Sequence, residues 1–330
     1  MKILVLTASD QQRHPLGRYL DLHCTYDFNN WVFGFNGLNH ECCFFDYYKS
    51  FVENGPGQME EDILDTVRRK NIDLVVVPNM YYEIGVSFLE KLKRLDVKSV
   101  MVFFDDSSRF ESTNRLYIGS CDFVLTHDSV DAIKLYDGHA VRAEFFPCYP
   151  SYNYFQSLIS APEDHTMESP GICFVGAKIA DREQYLDALT SAGIPLGIFG
   201  RGWPNGMLSQ SRMAKLFAAS GISLNFVKNV SNTGARQLKA RAFEIVMSGG
   251  FLLTEYDEEI ADYFDVGVEM DSFSSVDECI EKVRFYMANG AVAVEMGARA
   301  SQKAKRLYSF ESAWSKYLDA IEQATMANAK

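Results

Sequence analysis

The chain reads as an α/β protein made of two successive doubly wound halves that face a cleft. Three observations predict this. Short apolar runs alternate with helical patterns along most of the 330 residues. The alternation fails at 149–170, where Pro150, Pro162, Glu163, Asp164 and Pro170 gather, and it restarts afterwards. Several apolar runs end abruptly in acids, glycine or histidine, as the carboxyl ends of buried parallel strands do. The expected division is a first domain over 1–150, a linker over 151–170 and a second domain over 171–330. The last helix is a candidate to pack back on the first domain.

In order, residues 2–7 give the first strand. Residues 9–40 mix polar and aromatic side chains and read as a loop and a helix. Residues 41–45 are a second strand, and 59–70 a helix with an apolar stripe at Ile63, Leu64 and Val67. A strand at 73–77 and a helix at 82–95 follow. The strand at 99–104 ends in Asp105-Asp106, and the one at 122–126 in His127-Asp128; residues 143–147 complete the first half. In the second half, 171–175 is a strand and 181–192 a helix. The strand at 195–199 runs into Gly200-Arg201-Gly202-Trp203. A helix at 207–219 and a strand at 222–226 come next, and helices at 276–287, 292–308 and 310–327 close the chain.

Composition narrows the function. The net charge is −12 and no basic stripe is present, which disfavours nucleic acid as the main partner. The densest basic runs, Arg68-Arg69-Lys70 and 303–306, read as solvated helix faces. Seven scattered cysteines without a CxxC pair suggest reduced thiols in a cytoplasmic protein, and neither a disulfide framework nor a zinc site. The first residues read as a strand rather than a signal peptide, and no apolar run reaches membrane-spanning length.

The stretch 234–256 organises the second half. Arg236, Lys239 and Arg241 lead into an apolar helix, Ser248-Gly249-Gly250 stops it, and a short strand ends at Glu255. Cations at a helix start and carboxylates near a strand end suit a nucleotide-sugar: cations for the diphosphate, a carboxylate for the ribose hydroxyls. An arginine-rich helix with a glycine stop and no ligand would look the same. Arg241 and Glu244, at i and i+3, share a helix face, whereas Lys239 and Arg241 point apart.

These residues resemble the CgeB-type (spore maturation protein) branch of the glycosyltransferases, which is similar to family-4 enzymes of the GT-B fold, two Rossmann-like domains. The pieces lie in family order: Cys173-Phe174-Val175-Gly176 with Arg182 after it, 198–203, Leu224-Asn225, 239–244, 249–255 and Tyr308-Ser309-Phe310. The first half matches loosely, at Asp105-Asp106 and Phe146-Pro147. The resemblance implies transfer of a sugar from a nucleotide-diphosphate donor, retaining and without a metal or other cofactor. It implies that Glu244, five residues before Gly249, holds the donor ribose. Gly176, Lys178 and Arg182 match the loop that meets the diphosphate, joined by Lys239 and Arg241, while Gly200 and Trp203 would wall the nucleoside. Arg236 stands where family-4 enzymes often carry a second glutamate that contacts the donor sugar.

Other readings accompany these. Asp105 and Asp106 are candidates to hold an acceptor hydroxyl or act as base, or they cap a turn. His127 either faces the cleft as a catalytic group or is surface-exposed. Trp203 stacks on a base or plugs the core. The aromatics from Tyr26 to Tyr48 are core or an acceptor surface. For the whole chain, a nucleotide-sugar-binding or scaffold protein without catalysis is one alternative. A transferase acting on modified DNA bases or another polymer is the other. Acceptor and oligomeric state are not legible.

Overall fold

The structure, a computed structural model, describes residues 1–7, 29–78, 84–104, 106–128, 130–147, 149–162, 171–179, 181–227 and 240–328. Contacts divide the chain into two units: Met1–Cys148 with Trp314–Lys330, and Tyr149–Ala313.

The first unit holds a six-stranded sheet of order β2-β1-β3-β4-β5-β6, with every pair parallel. The strands are β1 (Lys2–Thr7), β2 (Glu41–Asp46), β3 (Leu74–Pro78), β4 (Lys98–Phe103), β5 (Phe123–Thr126) and β6 (Arg142–Phe145). Central strands β1, β3 and β4 are almost wholly buried, as their unbroken Ile, Leu and Val runs require. Residues 29–36 form helix α1. Its Trp31 and Phe35 pack on Trp314, which puts at least these aromatics in a core. Helix α2 (Tyr47–Lys70) starts earlier than the sequence suggests, capped by Asp46 accepting from Lys49 N at 3.0 Å. It breaks at Gly55, the Asn-Gly-Pro-Gly turn signal that masked its first half. Helix α3 (Val86–Arg94) buries Phe88, Leu89 and Leu92. Among the described residues between β4 and β6, the connections hold the single turn α4 (Asp106–Arg109) and 3-10 turns at Asn114–Leu116 and Val130–Tyr136.

The second unit repeats the topology with five parallel strands in the order β11-β10-β9-β7-β8. These are β7 (Ile172–Val175), β8 (Gly197–Phe199), β9 (Ile222–Asn225), β10 (Leu252–Glu255) and β11 (Asp271–Phe273). Its helices are α5 (Tyr152–Ser160), α6 (Arg182–Ser191), α7 (Gln210–Ala219), α8 (Ala240–Met247), α9 (Glu258–Tyr263), α10 (Val276–Ala288), α11 (Gly290–Leu307) and the start of α12 (Phe310–Asn328). Where the sequence reads a linker over 151–170, α5 packs on α7, and 163–170 lie outside the described residues. Strand β11 and helix α9 had no sequence signal: both are short and largely polar. Helix α8 stops at Gly249 (φ 80). A Cβ on the next residue, Gly250, would stand 2.6 Å from Phe217 O, so α7 and the strand entry pack too closely for any side chain.

Candidate functional site

Strand order reverses between β7 and β9, and the carboxyl ends of these strands are where such a sheet binds ligands. Buried polar groups collect there. At the end of β9, Asn225 Nδ2 donates to Thr254 Oγ1 on β10 at 3.0 Å. Val227 N donates to the Glu255 carboxylate at 3.2 Å, and Glu255 is buried. One helical turn brings Arg241 and Glu244 together on α8, with Arg241 Nη1 2.6 Å from Glu244 Oε2. Glu244 is 5% exposed. Although Arg241 is this close, no N–H is aligned on Oε2, which accepts no hydrogen bond. The cation offsets the cost of burying the carboxylate. The Arg241 guanidinium also lies over the Phe217 ring, 5.7 Å from its centroid.

Arg182 opens α6, so a permanent cation joins the positive end of that helix. Its Nη1 donates to Ala177 O at 2.9 Å, its guanidinium stacks over Phe174 at 5.7 Å, and its buried Nε has no partner. Burial lowers its pKa, and Arg241 lowers it further, while Glu255 raises it. The guanidinium remains protonated regardless. Arg182, Arg241, Glu255 and Glu244 thus form one run of neighbouring charges.

The loops after β7 and β8 are locked together. A Cβ on Gly200 (φ 126) would fall 2.1 Å from Gly176 O, a close approach only glycine allows. Gly176 N donates to Phe199 O at 2.9 Å and Lys178 N to Arg201 O at 2.8 Å, continuing the ladder past the strands. Trp203 Nε1 donates to Gly176 O at 2.9 Å, and its ring meets Phe174 edge-on at 6.3 Å. Lys178 Nζ sits 5.2 Å from the Trp203 ring centroid and pairs with Glu183. Gly176, Lys178, Arg182, Gly200 and Trp203 are therefore one assembly, and Arg241 with Glu244 lies in electrostatic reach of it.

Residues 182–319 match the family described as Glycosyl transferase-like. No curated protein matches the chain by sequence. Solved structures do match its fold. Sucrose-phosphate synthase from Thermosynechococcus elongatus aligns at TM-score 0.58 and 10% identity, covering 99% of both chains. A glycosyltransferase from Rickettsia africae aligns at 0.61 and 11%, covering 98% of each. HepE of Anabaena, in complex with UDP, aligns at 0.57 and 10%, over 97% of this chain and 100% of that one. The chain has the GT-B fold, and 182–319 is its glycosyl transferase-like region. That match and the fold together support glycosyltransferase activity, and the charge run just described falls almost wholly inside this region. The CgeB branch is not distinguished by these likenesses.

The first-unit candidates of this GT-B chain have other surroundings. Asp105 lies outside the described residues, as do Lys239 and Arg236. Asp106, fully buried at the start of α4, accepts at Oδ1 from Asn114 Nδ2 and from Tyr136 OH, each at 2.7 Å. It ties both 3-10 turns to the end of β4. Desolvation raises its pKa, opposed by Thr126, Asn114 and Tyr136. His127 is not surface-exposed, which overturns one of its two sequence readings. Its ring is 8% exposed, stacked on Phe104 at 4.7 Å and against Phe146 at 4.7 Å. Burial pushes its pKa down to about 4. Trp203 likewise sits in the core rather than presenting an open ring.

Sequence reasoning noted Glu255 as a strand-end carboxylate without assigning it a role, and passed over Ala177. Glu255 was visible as the acid that ends β10. Ala177 carries no chemical signal in its side chain, and only its backbone bonding singles it out. Among the described residues no cluster of His, Cys, Asp or Glu is arranged to hold a metal, and no helix is long and apolar enough to cross a membrane. A cavity of about 630 Å³ lies at the amino end of the first sheet beside Asn71, Asp73 and Lys98, and none of these groups lines it.

Proposed function

We propose that the chain is a glycosyltransferase that takes its sugar from a nucleoside diphosphate donor, with UDP-sugars the first to test. The observation that carries this is the buried Glu244 paired with the half-buried Arg241 beside Arg182, where the strand order of the second sheet reverses. The Glu244 carboxylate suits ribose hydroxyls, and the two guanidiniums suit a diphosphate. Arg241 exchanges part of its hold on Glu244 for the phosphates when the donor arrives. HepE has been seen with UDP and with UDP-glucose, which makes uridine the favoured base.

In the reaction the bond from the sugar C1 to the diphosphate oxygen breaks, and a nucleophile of the acceptor bonds to C1 as it loses its proton. Charge grows on the leaving diphosphate. Arg182, Arg241 and the amino end of α6 meet that charge, with Lys178 and Lys239 adding to it. Preformed cations of this kind stabilise a leaving diphosphate without a bound metal, so turnover in a chelator is expected to equal turnover without it. Retention at C1 is the proposed outcome. A trehalose-6-phosphate synthase described as acting with retention shares this fold at TM-score 0.53 and 11% identity, covering 82% of this chain and 78% of that one. The anomer of the product, read by NMR, decides it. The free thiols of Cys42, Cys43, Cys121, Cys173 and Cys279 suit a reducing, cytoplasmic setting.

The first test is thermal unfolding with a panel of nucleoside diphosphates and their sugars. A ligand at ~100 times its Kd adds ~2.7 kcal/mol of stability. Glu244→Gln keeps the shape of the side chain and loses its charge, so UDP should bind about tenfold more weakly with the melting temperature little changed. Unchanged affinity in that variant would remove Glu244 from the ribose.

A further inference from the structure

A single apolar side chain on a surface needs no explanation, but a group of them does. Where α10 meets α11, Phe285 is 52% exposed, Met287 50%, Val292 43% and Val294 68%. The ten residues from Phe285 to Val294 carry no charge. Their two polar side chains are spent on the protein itself: Asn289 Nδ2 donates to Phe285 O and Tyr286 OH to Asp271, each at 2.8 Å.

Packing fixes where this corner sits. The Tyr286 ring lies 4.5 Å from that of Phe251, and a Cβ on Gly297 would stand 3.0 Å from Gly250 O. Gly250 and Phe251 lead into β10, so the corner lies at the amino end of the second sheet. Arg182 and Glu255 stand at the carboxyl end. Val283, Tyr286, Ala293 and Met296 turn inward and belong to the core of the unit. At ~100° per residue, Phe285 and Met287 fall on opposite flanks of Tyr286, and Val292 and Val294 on opposite flanks of Ala293.

Shape, area and charge together select what covers the corner. Apolar side chains on both flanks suit a medium that closes around them, whereas a protein face would meet one flank and leave the other wet. They expose a few hundred Å², short of the ~800 Å² per partner of a stable protein interface. The exposed charges that border them are Glu281 and Arg284 on α10 and Glu295 and Arg299 on α11, which sum to zero. No basic cluster is there to hold anionic headgroups, and the net charge of −12 repels them. We propose that the corner between α10 and α11 inserts into the surface of a neutral lipid bilayer. Phe285, Met287, Val292 and Val294 reach the boundary between headgroups and acyl chains, and the binding is reversible, comparable to that of a single acyl chain. The charge run at the other end of the sheet stays in water.

The test is co-sedimentation of the whole chain with phosphatidylcholine vesicles, with and without phosphatidylserine. The parent should sediment with the neutral vesicles, and no more with the charged ones. Val294→Asp and Phe285→Asp each charge a side chain that is already more than half exposed. Their melting temperatures and UDP affinities should stay near those of the parent, while vesicle binding falls about tenfold in each. Leu116→Asp alters a side chain of the first unit that is 60% exposed, and it should bind vesicles as the parent does. Val294→Trp supplies a positive signal: brominated lipid should quench its fluorescence and leave that of the parent unchanged. Binding that needs phosphatidylserine, an equal loss in Leu116→Asp, or no binding by the folded parent overturns the proposal. So does a dimer that light scattering finds in the parent and not in Val294→Asp, because a second copy would then cover the corner. None of these outcomes bears on the donor site.

Discussion

At pH 7 the ring of His127 is neutral, because burial between Phe104 and Phe146 has pushed its pKa down to about 4 from an ordinary 6.5. The unfolded chain takes up that proton first as pH falls. Stability from this residue is therefore complete above about pH 6.5 and is lost as pH drops toward 4, at up to ~1.4 kcal/mol per pH unit. His127→Phe should flatten that part of the stability curve relative to the parent, and should leave the pH dependence of turnover near neutrality unchanged. An acid limb that survives unaltered in the variant would show the ring to be solvated. Asp106 separates structure from catalysis in a different way. Asp106→Ala strips two buried hydrogen bonds from Asn114 and Tyr136, a loss of ~2–3 kcal/mol. Asp106→Asn keeps an acceptor at the same place and avoids the buried charge, so it should melt no lower than the parent. If that stable variant is inactive, Asp106 acts as a base. If it turns over normally, Asp106 only ties the two 3-10 turns to the end of β4.

Helix α5 depends on a residue about 160 positions away. Glu311, at the start of α12, accepts from Ser151 Oγ at 2.6 Å and from Tyr152 N at 3.2 Å, and so places a carboxylate on the amino end of α5. Glu311→Ala should cost ~1–2 kcal/mol in denaturant unfolding, and Glu311→Gln, which keeps an acceptor, clearly less. Equal losses would mean that packing rather than capping holds α5. This contact also shows why the element was missed. Its nine residues carry no sustained apolar period, and the carboxylate that reinforces its Ser151 cap comes from a distant part of the chain that no local pattern reveals. By contrast β1, β3, β4, β7 and β10 were legible, because a strand buried on both faces must be an unbroken apolar run. Strand β11, at the sheet edge, has no such obligation. The site divides along the same line. Glu244 and Arg182 were named through the family resemblance, by the distance of Glu244 from Gly249 and the place of Arg182 after β7, and the structure sets both in one run of charges. The interlock of Gly200 with Gly176 is a matter of backbone direction that composition does not encode.

Each unit carries its own core: one around Leu4, Val75, Met101 and Phe88, the other around Phe174, Leu224, Leu253 and Phe273. Two cores of this size are each sufficient for a cooperative transition. The charge run around Glu244, Arg241 and Arg182 belongs entirely to the second. Calorimetry on the whole chain should therefore resolve two transitions, and a saturating nucleoside diphosphate should raise only one of them. Glu244→Gln should reduce that ligand shift without moving the other transition, while Asp106→Ala should lower the other and leave the ligand shift intact. These paired variants assign each transition to a unit without dissecting the chain. A single transition that moves as a whole under both substitutions would show instead that the units unfold together, and the nucleotide would then stabilise residues far outside the region that matches the glycosyl transferase-like family.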